Sequence, residues 1–139
     1  MNIFKLKLLQ IILCLITTSS FANQIIVFTT QHYPITHAEM ATQVYYLDQP
    51  LNIEKELSQA LSKDVNIAQH QAKQLMQSSQ WKKAEKRLKK SYQGVILGWK
   101  VGVRKVPAIL FEDKNSQSVI YGIQDVQKAL EIKRTAPEQ

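Results

Sequence analysis

The side chains that offer chemistry lie near the start of the chain, in residues 29–34, which read Thr-Thr-Gln-His-Tyr-Pro. The threonine hydroxyls and the imidazole of His32 provide polar contacts for a peptide or a small ligand. His37 follows five residues after His32, and Glu39 is the only nearby carboxylate to complete a metal shell. A metal- or histidine-assisted enzyme is therefore one alternative. We favour loop and helix-start hydrogen bonding, with no catalytic residue, metal or cofactor, because short polar residues usually serve that role.

The single cysteine, Cys14, lies in an N-terminal segment that has the features of a secretory signal peptide. Two lysines precede an apolar core at residues 8–16, and small residues at positions 20 and 22 suit cleavage. The core is shorter than the about 20 residues of a membrane-spanning helix, so we predict removal of residues 1–22 rather than anchoring. The exported product then has no thiol and cannot carry out thiol–disulfide exchange, because a thiolate is the attacking group.

Strand and helix patterns alternate along the rest of the chain and predict one α/β domain over residues 23–139. Strands are predicted at residues 25–28, 44–47, 108–112 and 118–121. Helices are predicted to begin near Thr36, after a cap at Asn52, at Asp64 with a break near Ser78, and after Gly122. This β-α-β-α-α-β-β-α order is that of thioredoxin. The predicted fold is a thioredoxin-like central mixed β-sheet flanked by helices, with an enlarged helical insertion at residues 65–101.

The step Val106-Pro107 joins this insertion to the third predicted strand. Thioredoxin folds place a cis proline at this point, beside the reactive thiol. Cis bonds make up only about 5–6% of X–Pro bonds in folded proteins, but the order of elements favours the cis isomer here. The alternative is a trans proline that starts the strand. In this fold Val106 and Pro107 lie beside residues 29–34, where a thiol oxidoreductase carries Cys-x-x-Cys.

The second half of the insertion combines an apolar stripe with a basic face, in a chain of net charge +7. The stripe repeats at three- and four-residue steps and is predicted to enter the core: Trp81, Ala84, Leu88, Tyr92, Val95 and Trp99. Gly94 and Gly98 are predicted to allow close packing, and Gly102 to end the helix. The basic face consists of Lys82, Lys83, Lys86, Arg87, Lys89 and Lys90. We interpret it as a solvated or protein-binding face, and a binder of membranes or nucleic acid is the alternative.

A set of short segments along the chain points to one family: Val27-Phe28-Thr29-Thr30, His32-Tyr33-Pro34, Tyr92-Gln93-Gly94, Gly102-Val103-Arg104-Lys105-Val106-Pro107-Ala108, Val119-Ile120-Tyr121-Gly122 and Asp125-Val126-Gln127-Lys128-Ala129-Leu130. As a set, they resemble the thioredoxin-like proteins encoded by integrating conjugative elements. The chain is similar more distantly to the thioredoxin-like pilus-assembly proteins of F-type conjugation. The resemblance implies a periplasmic accessory of a type IV secretion or conjugation apparatus. It implies no catalytic residue, since the absence of Cys-x-x-Cys is usual in that family.

We therefore predict a non-catalytic, periplasmic accessory or assembly protein that takes part in conjugal DNA transfer by binding other secretion subunits. No stable membrane anchor is expected after signal cleavage, and nucleic acid is not an expected partner. Exposed backbone beside the proline is expected to pair with an extended peptide segment. The predicted binding surface consists of Thr29, Thr30, His32, Tyr33, Pro34, Val106 and Pro107.

Overall fold

The computed structural model describes residues 23–136, so the predicted signal peptide and Cys14 lie outside the described residues. The strands are β1 (Gln24–Thr29), β2 (Gln43–Tyr46), β3 (Ala108–Glu112) and β4 (Gln117–Tyr121). The helices are α1 (Gln49–Gln59), α2 (Val65–Met76), α3 (Ser79–Lys100) and α4 (Val126–Thr135). A 3-10 turn, Ala38–Met40, stands between β1 and β2. In this part of the chain no helix has the length and apolar character needed to cross a membrane.

The four strands form one mixed sheet in the order β2-β1-β3-β4. Strand β1 runs parallel to β2 and antiparallel to β3, and β4 is antiparallel to β3. The central strands β1 and β3 are nearly continuous apolar runs, as expected of strands that are covered on both faces. The predicted α/β class with a mixed sheet and flanking helices is confirmed.

Successive residues of a strand point to opposite faces of the sheet. Because consecutive residues of β1 and β3 are buried, both faces of the sheet are covered. On one face, the core cluster joins the sheet to α4 through Val27, Ile109, Phe111, Val126 and Ala129. On the other face, the end of α3 packs through Leu97 and Val101 against a second cluster of Ile26, Phe28, Ala108 and Leu110. Residues at the ends of β1 and β3 are therefore held firmly between the two layers.

Helix α3 approaches the sheet through small residues rather than through its aromatic ones. Gly94 and Gly98 are buried, and a Cβ atom at Gly94 would lie 2.7 Å from the side chain of Tyr45. By contrast, Trp99 is 85% exposed and Tyr92 is 40% exposed. The predicted close packing of the glycines is confirmed, and the prediction that Trp99 and Tyr92 enter the core is wrong. The glycine face lets the helix backbone approach the sheet, which turns the neighbouring aromatic side chains outward.

Local capping groups set the helix ends. The Ser78 hydroxyl accepts a hydrogen bond from the backbone N–H of Trp81 at 3.2 Å, so the predicted break before α3 is confirmed. Helix α1 begins at Gln49 with Pro50 in its first turn, so the prediction that Asn52 caps it is wrong. The fixed φ of proline suits the first helical turn and starts this helix earlier than the polar side chain suggested.

Gly102 ends α3 in a left-handed conformation with φ of 74°. Its backbone N–H donates to the carbonyl of Trp99 at 3.1 Å, and that of Val103 donates to the carbonyl of Gly98 at 2.8 Å. This pair of bonds is the Schellman arrangement that closes many helices. The predicted role of Gly102 is confirmed.

Candidate functional site

The end of β1 and the start of β3 bring two predicted segments of the binding surface together. Phe28 lies opposite Ala108 in the antiparallel ladder, so the next residues outward, Thr29 and Pro107, leave the sheet at the same end. The peptide bond between Val106 and Pro107 is cis, which confirms the isomer that the order of elements favoured. Residues 29–34 and residues 106–107 therefore form one end of the sheet.

Thr29 has an internal role in this arrangement. Its side chain is fully buried, and its hydroxyl donates to the backbone carbonyl of Tyr33 at 2.7 Å. The N–H of Tyr33 in turn donates to the carbonyl of Thr30 at 3.0 Å, which closes residues 30–33 into a turn. The Thr29 hydroxyl therefore shapes the loop, and it does not reach the surface as the predicted binding role required.

Pro107 is also internal. It is buried, and its carbonyl accepts a hydrogen bond from the backbone N–H of Gly122 at 2.9 Å. A proline has no N–H, so its backbone offers a passing peptide no further donor. Val106 remains half-buried. Pro107 thus supports the surface from beneath, and its carbonyl is bonded within the chain rather than open to a peptide.

The accessible part of the predicted surface is the outer side of the loop. His32 and Pro34 are exposed, and Thr30 and Tyr33 are half-buried. The His32 ring meets the Tyr33 ring edge-on, with 5.0 Å between ring centroids. These four residues present an imidazole, an aromatic ring, a hydroxyl and a proline ring on one side of the loop, which suits contact with a peptide better than it suits proton transfer.

Asp48 fastens the loop to the start of α1. Its Oδ2 atom accepts a hydrogen bond from the backbone N–H of Gln31 at 3.0 Å, and the N–H of Leu47 donates to the carbonyl of Thr29 at 2.8 Å. The other carboxylate oxygen, Oδ1, is buried and has no hydrogen-bond partner among the described residues. The loop is thus held at both ends by the segment that follows β2.

Two adjoining concavities extend from this loop along β2. The first, of about 440 Å³, is lined by Gln31, Pro34, Tyr46 and Gln49. The second, of about 370 Å³, is lined by Gln43, Val44, Tyr45, Tyr46, Gln49, Arg87, Lys90 and Ser91. Because both include Tyr46 and Gln49, they form one groove, which we call the β2 groove. It begins at the loop and ends at the cations of α3, beside strand β2, which within residues 23–136 pairs only with β1.

The sequence analysis missed the β2 groove. Its walls come from the loop, from β2 and from α3, and the nearest of these segments are separated by many residues along the chain. The signal available in the sequence was weak: three glutamines at positions 31, 43 and 49 line it, in a region otherwise interpreted as strand and loop. Amide side chains both donate and accept hydrogen bonds, so they suit an extended peptide backbone.

His37 belongs to a different part of the structure from His32. Its backbone is left-handed with φ of 52°, and its Nδ1 atom lies 3.0 Å from Oδ1 of Asp125. Asp125 caps α4, and the backbone N–H of Lys128 together with His37 lowers the pKa of its carboxyl. His37 therefore ties the loop before the 3-10 turn to α4. Within residues 23–136, no three histidine, cysteine, aspartate or glutamate side chains come together as a metal-ligand set.

The predicted basic face lies on the exposed side of the first half of α3 and beside the β2 groove. All six of its residues are exposed: Lys82, Lys83, Lys86, Arg87, Lys89 and Lys90. Arg87 donates two hydrogen bonds to the carboxylate of Glu56, at 3.2 and 3.0 Å, and these bonds lower the pKa of that carboxyl. Lys89 pairs with Glu85 at 2.7 Å. Arg87 and Lys90 are the two cations of this face that line the groove.

The chain matches a protein family over most of its length. The family described as a protein of unknown function (DUF1525) matches residues 22–136. The match covers most of the chain, so the protein belongs to this family. No match was found among curated proteins or among solved structures.

Proposed function

We propose that this protein is a non-catalytic, thioredoxin-like accessory protein that is exported to the periplasm and binds other subunits of a conjugative type IV secretion apparatus. The observation that carries the proposal is the β2 groove, which joins the predicted loop surface to an edge strand and to the cations of α3. A site of this shape holds an extended segment of another protein.

The thioredoxin-like part of the proposal is supported by sheet topology. The sheet has the order β2-β1-β3-β4, with β3 antiparallel to the other three strands, and it is compatible with the thioredoxin-like mixed sheet that the order of elements predicts. The end of α3 covers one face of this sheet and α4 covers the other. The loop after β1 lies beside Pro107, which is where that fold places its reactive loop and its proline.

The non-catalytic part is supported by the chemistry of the loop. Thiol–disulfide exchange needs a thiolate, and the only cysteine of the chain is at position 14, outside the loop and outside the matched family region. The Thr29 hydroxyl, which stands at the end of β1, donates to a carbonyl and is fully buried. His32 contacts Tyr33, and no carboxylate hydrogen-bonded to His32 is found among the described residues.

Binding of an extended segment is supported by the position of β2 at the edge of the sheet. An edge strand presents a row of unpaired backbone groups, and a peptide adds to it as a further strand. Gln31 and Gln49 line the groove and offer amides to a peptide backbone, whereas the Gln43 amide already donates to the carbonyl of Val44 at 3.1 Å. Tyr46 offers an aromatic surface. At the far end, Arg87 is already paired with Glu56, so Lys90 is the groove cation that favours a partner segment with acidic residues.

The conjugative role comes from the resemblance of the segments quoted above to proteins of integrating conjugative elements, and a DNA-transfer assay tests it. The test variant combines Gln31→Ala, His32→Ala and Gln49→Ala, all exposed side chains in or beside the groove. The control combines Gln69→Ala, His70→Ala and Gln127→Ala, which are equally exposed on α2 and α4. We expect the test variant to lower transfer frequency by at least about tenfold, the loss that corresponds to about 1.4 kcal/mol of binding.

Immunoblotting and urea unfolding of both variants separate loss of binding from loss of protein. Neither variant is expected to change the unfolding midpoint, because surface side chains contribute little to stability. Normal transfer with the groove variant at normal protein level refutes binding through the groove. Normal transfer after deletion of the whole gene refutes the conjugative role.

A further inference from the structure

Helix α3 carries a row of exposed apolar side chains that neither the core nor the β2 groove uses. Tyr92, Ile96 and Trp99 are spaced four and three residues apart, so they lie on one side of the helix. Their exposed fractions are 40%, 62% and 85%. Trp99 is the most exposed of the large apolar residues in the described chain. Large apolar side chains that line up in water usually mark a surface that contacts something else.

Helix α1 extends the row. The Tyr92 hydroxyl donates to Glu54 at 2.7 Å, and Arg87 bonds Glu56, so the two helices run antiparallel at this contact. Leu51 lies one turn before Glu54 on α1, at the level reached by the turn after Tyr92 on α3. Its side chain is 66% exposed. We call Leu51, Tyr92, Ile96 and Trp99 together the Trp99 surface.

Cations border the Trp99 surface along α3. Lys89 precedes Tyr92 by three residues, and Lys100 follows Ile96 by four, which places both beside the apolar row. Arg104 and Lys105 follow in the segment after the helix, where the Lys105 ammonium lies over the Tyr121 ring, 5.6 Å from its centroid. Three carboxylates of the two helices are engaged: Glu54 accepts the Tyr92 hydroxyl, Glu56 pairs with Arg87, and Glu85 pairs with Lys89. The edge of the apolar row therefore carries more positive than negative charge.

We infer that the Trp99 surface docks the protein on an anionic lipid bilayer. Tryptophan and tyrosine favour the boundary between headgroups and acyl chains, because their rings are apolar and carry one polar group. Lysine and arginine beside them reach the headgroup phosphates while their stems remain over the apolar region. A helix face with an apolar row and flanking cations is the pattern of interfacial helices.

The inference extends the alternative of a membrane-binding basic face, but it rests on the exposed apolar row and shares only Lys89 with that face. The basic face at residues 82–90 offers charge without an exposed large apolar side chain. The Trp99 surface supplies both. It is also independent of the β2 groove, so a partner subunit and a membrane are able to bind the protein at the same time.

Vesicle flotation with the full chain, purified from its host, tests this inference. The vesicles are phosphatidylcholine alone and phosphatidylcholine mixed with phosphatidylglycerol. We expect binding to the anionic vesicles that weakens with added salt, and little binding to the neutral ones. Trp99→Ala should lower the partition coefficient by about tenfold, from the apolar area it removes. Lys100→Gln should lower it by about fivefold, which corresponds to roughly 1 kcal/mol for one cation near the surface.

Matched controls come from α2. Ile67 is also an exposed apolar residue, at 53%, so Ile67→Ala should leave binding unchanged. Lys73→Gln serves the same purpose for Lys100→Gln. Every variant carries the same N-terminal segment, so any contribution of residues 1–22 cancels in the comparison. Ile96→Ser provides a second variant of the Trp99 surface that does not depend on tryptophan.

A spectroscopic measurement locates the contact. The chain has two tryptophans, and Trp81→Phe leaves Trp99 as the only one. Its fluorescence should shift to shorter wavelength when anionic vesicles are added, because the indole leaves water. An unshifted spectrum, equal binding by Trp99→Ala and the wild type, or equal binding to neutral vesicles overturns the inference. So does a Trp99-dependent complex with a protein in the absence of any affinity for vesicles.

Discussion

Gly94 and Gly98 offer a direct test of how α3 packs on the sheet, because the same substitution should have opposite effects at the two positions. A Cβ atom at Gly94 would lie 2.7 Å from Cβ, Cγ and Cδ1 of Tyr45. These atoms form the base of the tyrosine side chain, which strand β2 holds in place. They cannot swing away as the end of a flexible chain would, so Gly94→Ala must push the helix off the sheet.

The magnitude follows from two opposing terms. Alanine stabilises a helix interior by about 1 kcal/mol relative to glycine. Overpacking a well-filled contact costs typically about 1–3 kcal/mol. At Gly94 the overlap is with three atoms, so we expect the upper half of that range and a net loss of about 1–2 kcal/mol. At Gly98 the new Cβ would lie 3.4 Å from the Phe28 ring, the near limit of ordinary contact, and we expect Gly98→Ala to be neutral or to gain up to about 1 kcal/mol.

Urea unfolding followed by circular dichroism measures both variants, with the slope of the transition checked for equality. For a domain of this size, a loss of about 1 kcal/mol corresponds to a fall in Tm of about 4 °C. The reasoning is refuted if Gly94→Ala is as stable as the wild type, or if Gly98→Ala is the more damaging change. Tyr45→Ala in the Gly94→Ala background should recover part of the loss that comes from the clash.

Two further predictions concern the ends of helices. Gly102→Ala should lower the free energy of unfolding by about 1–2 kcal/mol, because alanine is strained at a φ of 74° although nothing lies within 4 Å of its Cβ. Gly102→Asn should lower it less, since asparagine adopts the left-handed conformation more readily. Equal losses in the two variants would contradict this backbone explanation. The N–H of Lys128 and the side chain of His37 lower the pKa of the Asp125 carboxyl in the folded protein. The ionised carboxylate therefore contributes its full stabilisation of the fold above the ordinary aspartate pKa of about 3.9, and this contribution is lost as the pH falls through the lower pKa of the folded state. The stability difference between the wild type and Asp125→Asn should therefore shrink as the pH falls below about pH 4, and a difference that does not shrink there would contradict this assignment.

The sequence predicts the sheet well because its central strands, β1 and β3, are continuous apolar segments. Strand β3 occupies the predicted residues, 108–112, and the apolar part of β1 lies inside the predicted element. The break between α2 and α3 was also predictable, since the stripe changes phase there and Ser78 supplies a cap. Local patterns of this kind carry enough information to place elements and to order them along the chain.

The position of Trp99 was not predictable in the same way. A hydrophobic period assigns the largest apolar side chains to the core, whereas α3 uses Gly94 and Gly98 to reach the sheet. Glycine has no side chain, so it does not contribute to the hydrophobic period from which the buried face of a helix is predicted. The β2 groove was hidden for another reason: its Tyr46 and Gln49 meet Lys90 only through tertiary packing. Conversely, Thr29 and Pro107 were correctly placed together, but burial gives them a supporting role.

The central position of β1 has a consequence for how the molecule forms. This strand lies within the first tenth of the described residues, yet its antiparallel neighbour β3 begins only at Ala108. During vectorial synthesis, one edge of β1 therefore stays unpaired until most of the polypeptide, including β3, has emerged. Closure of such distant partners is slow relative to helix formation. The sheet of the nascent chain consequently stays incomplete for most of its synthesis.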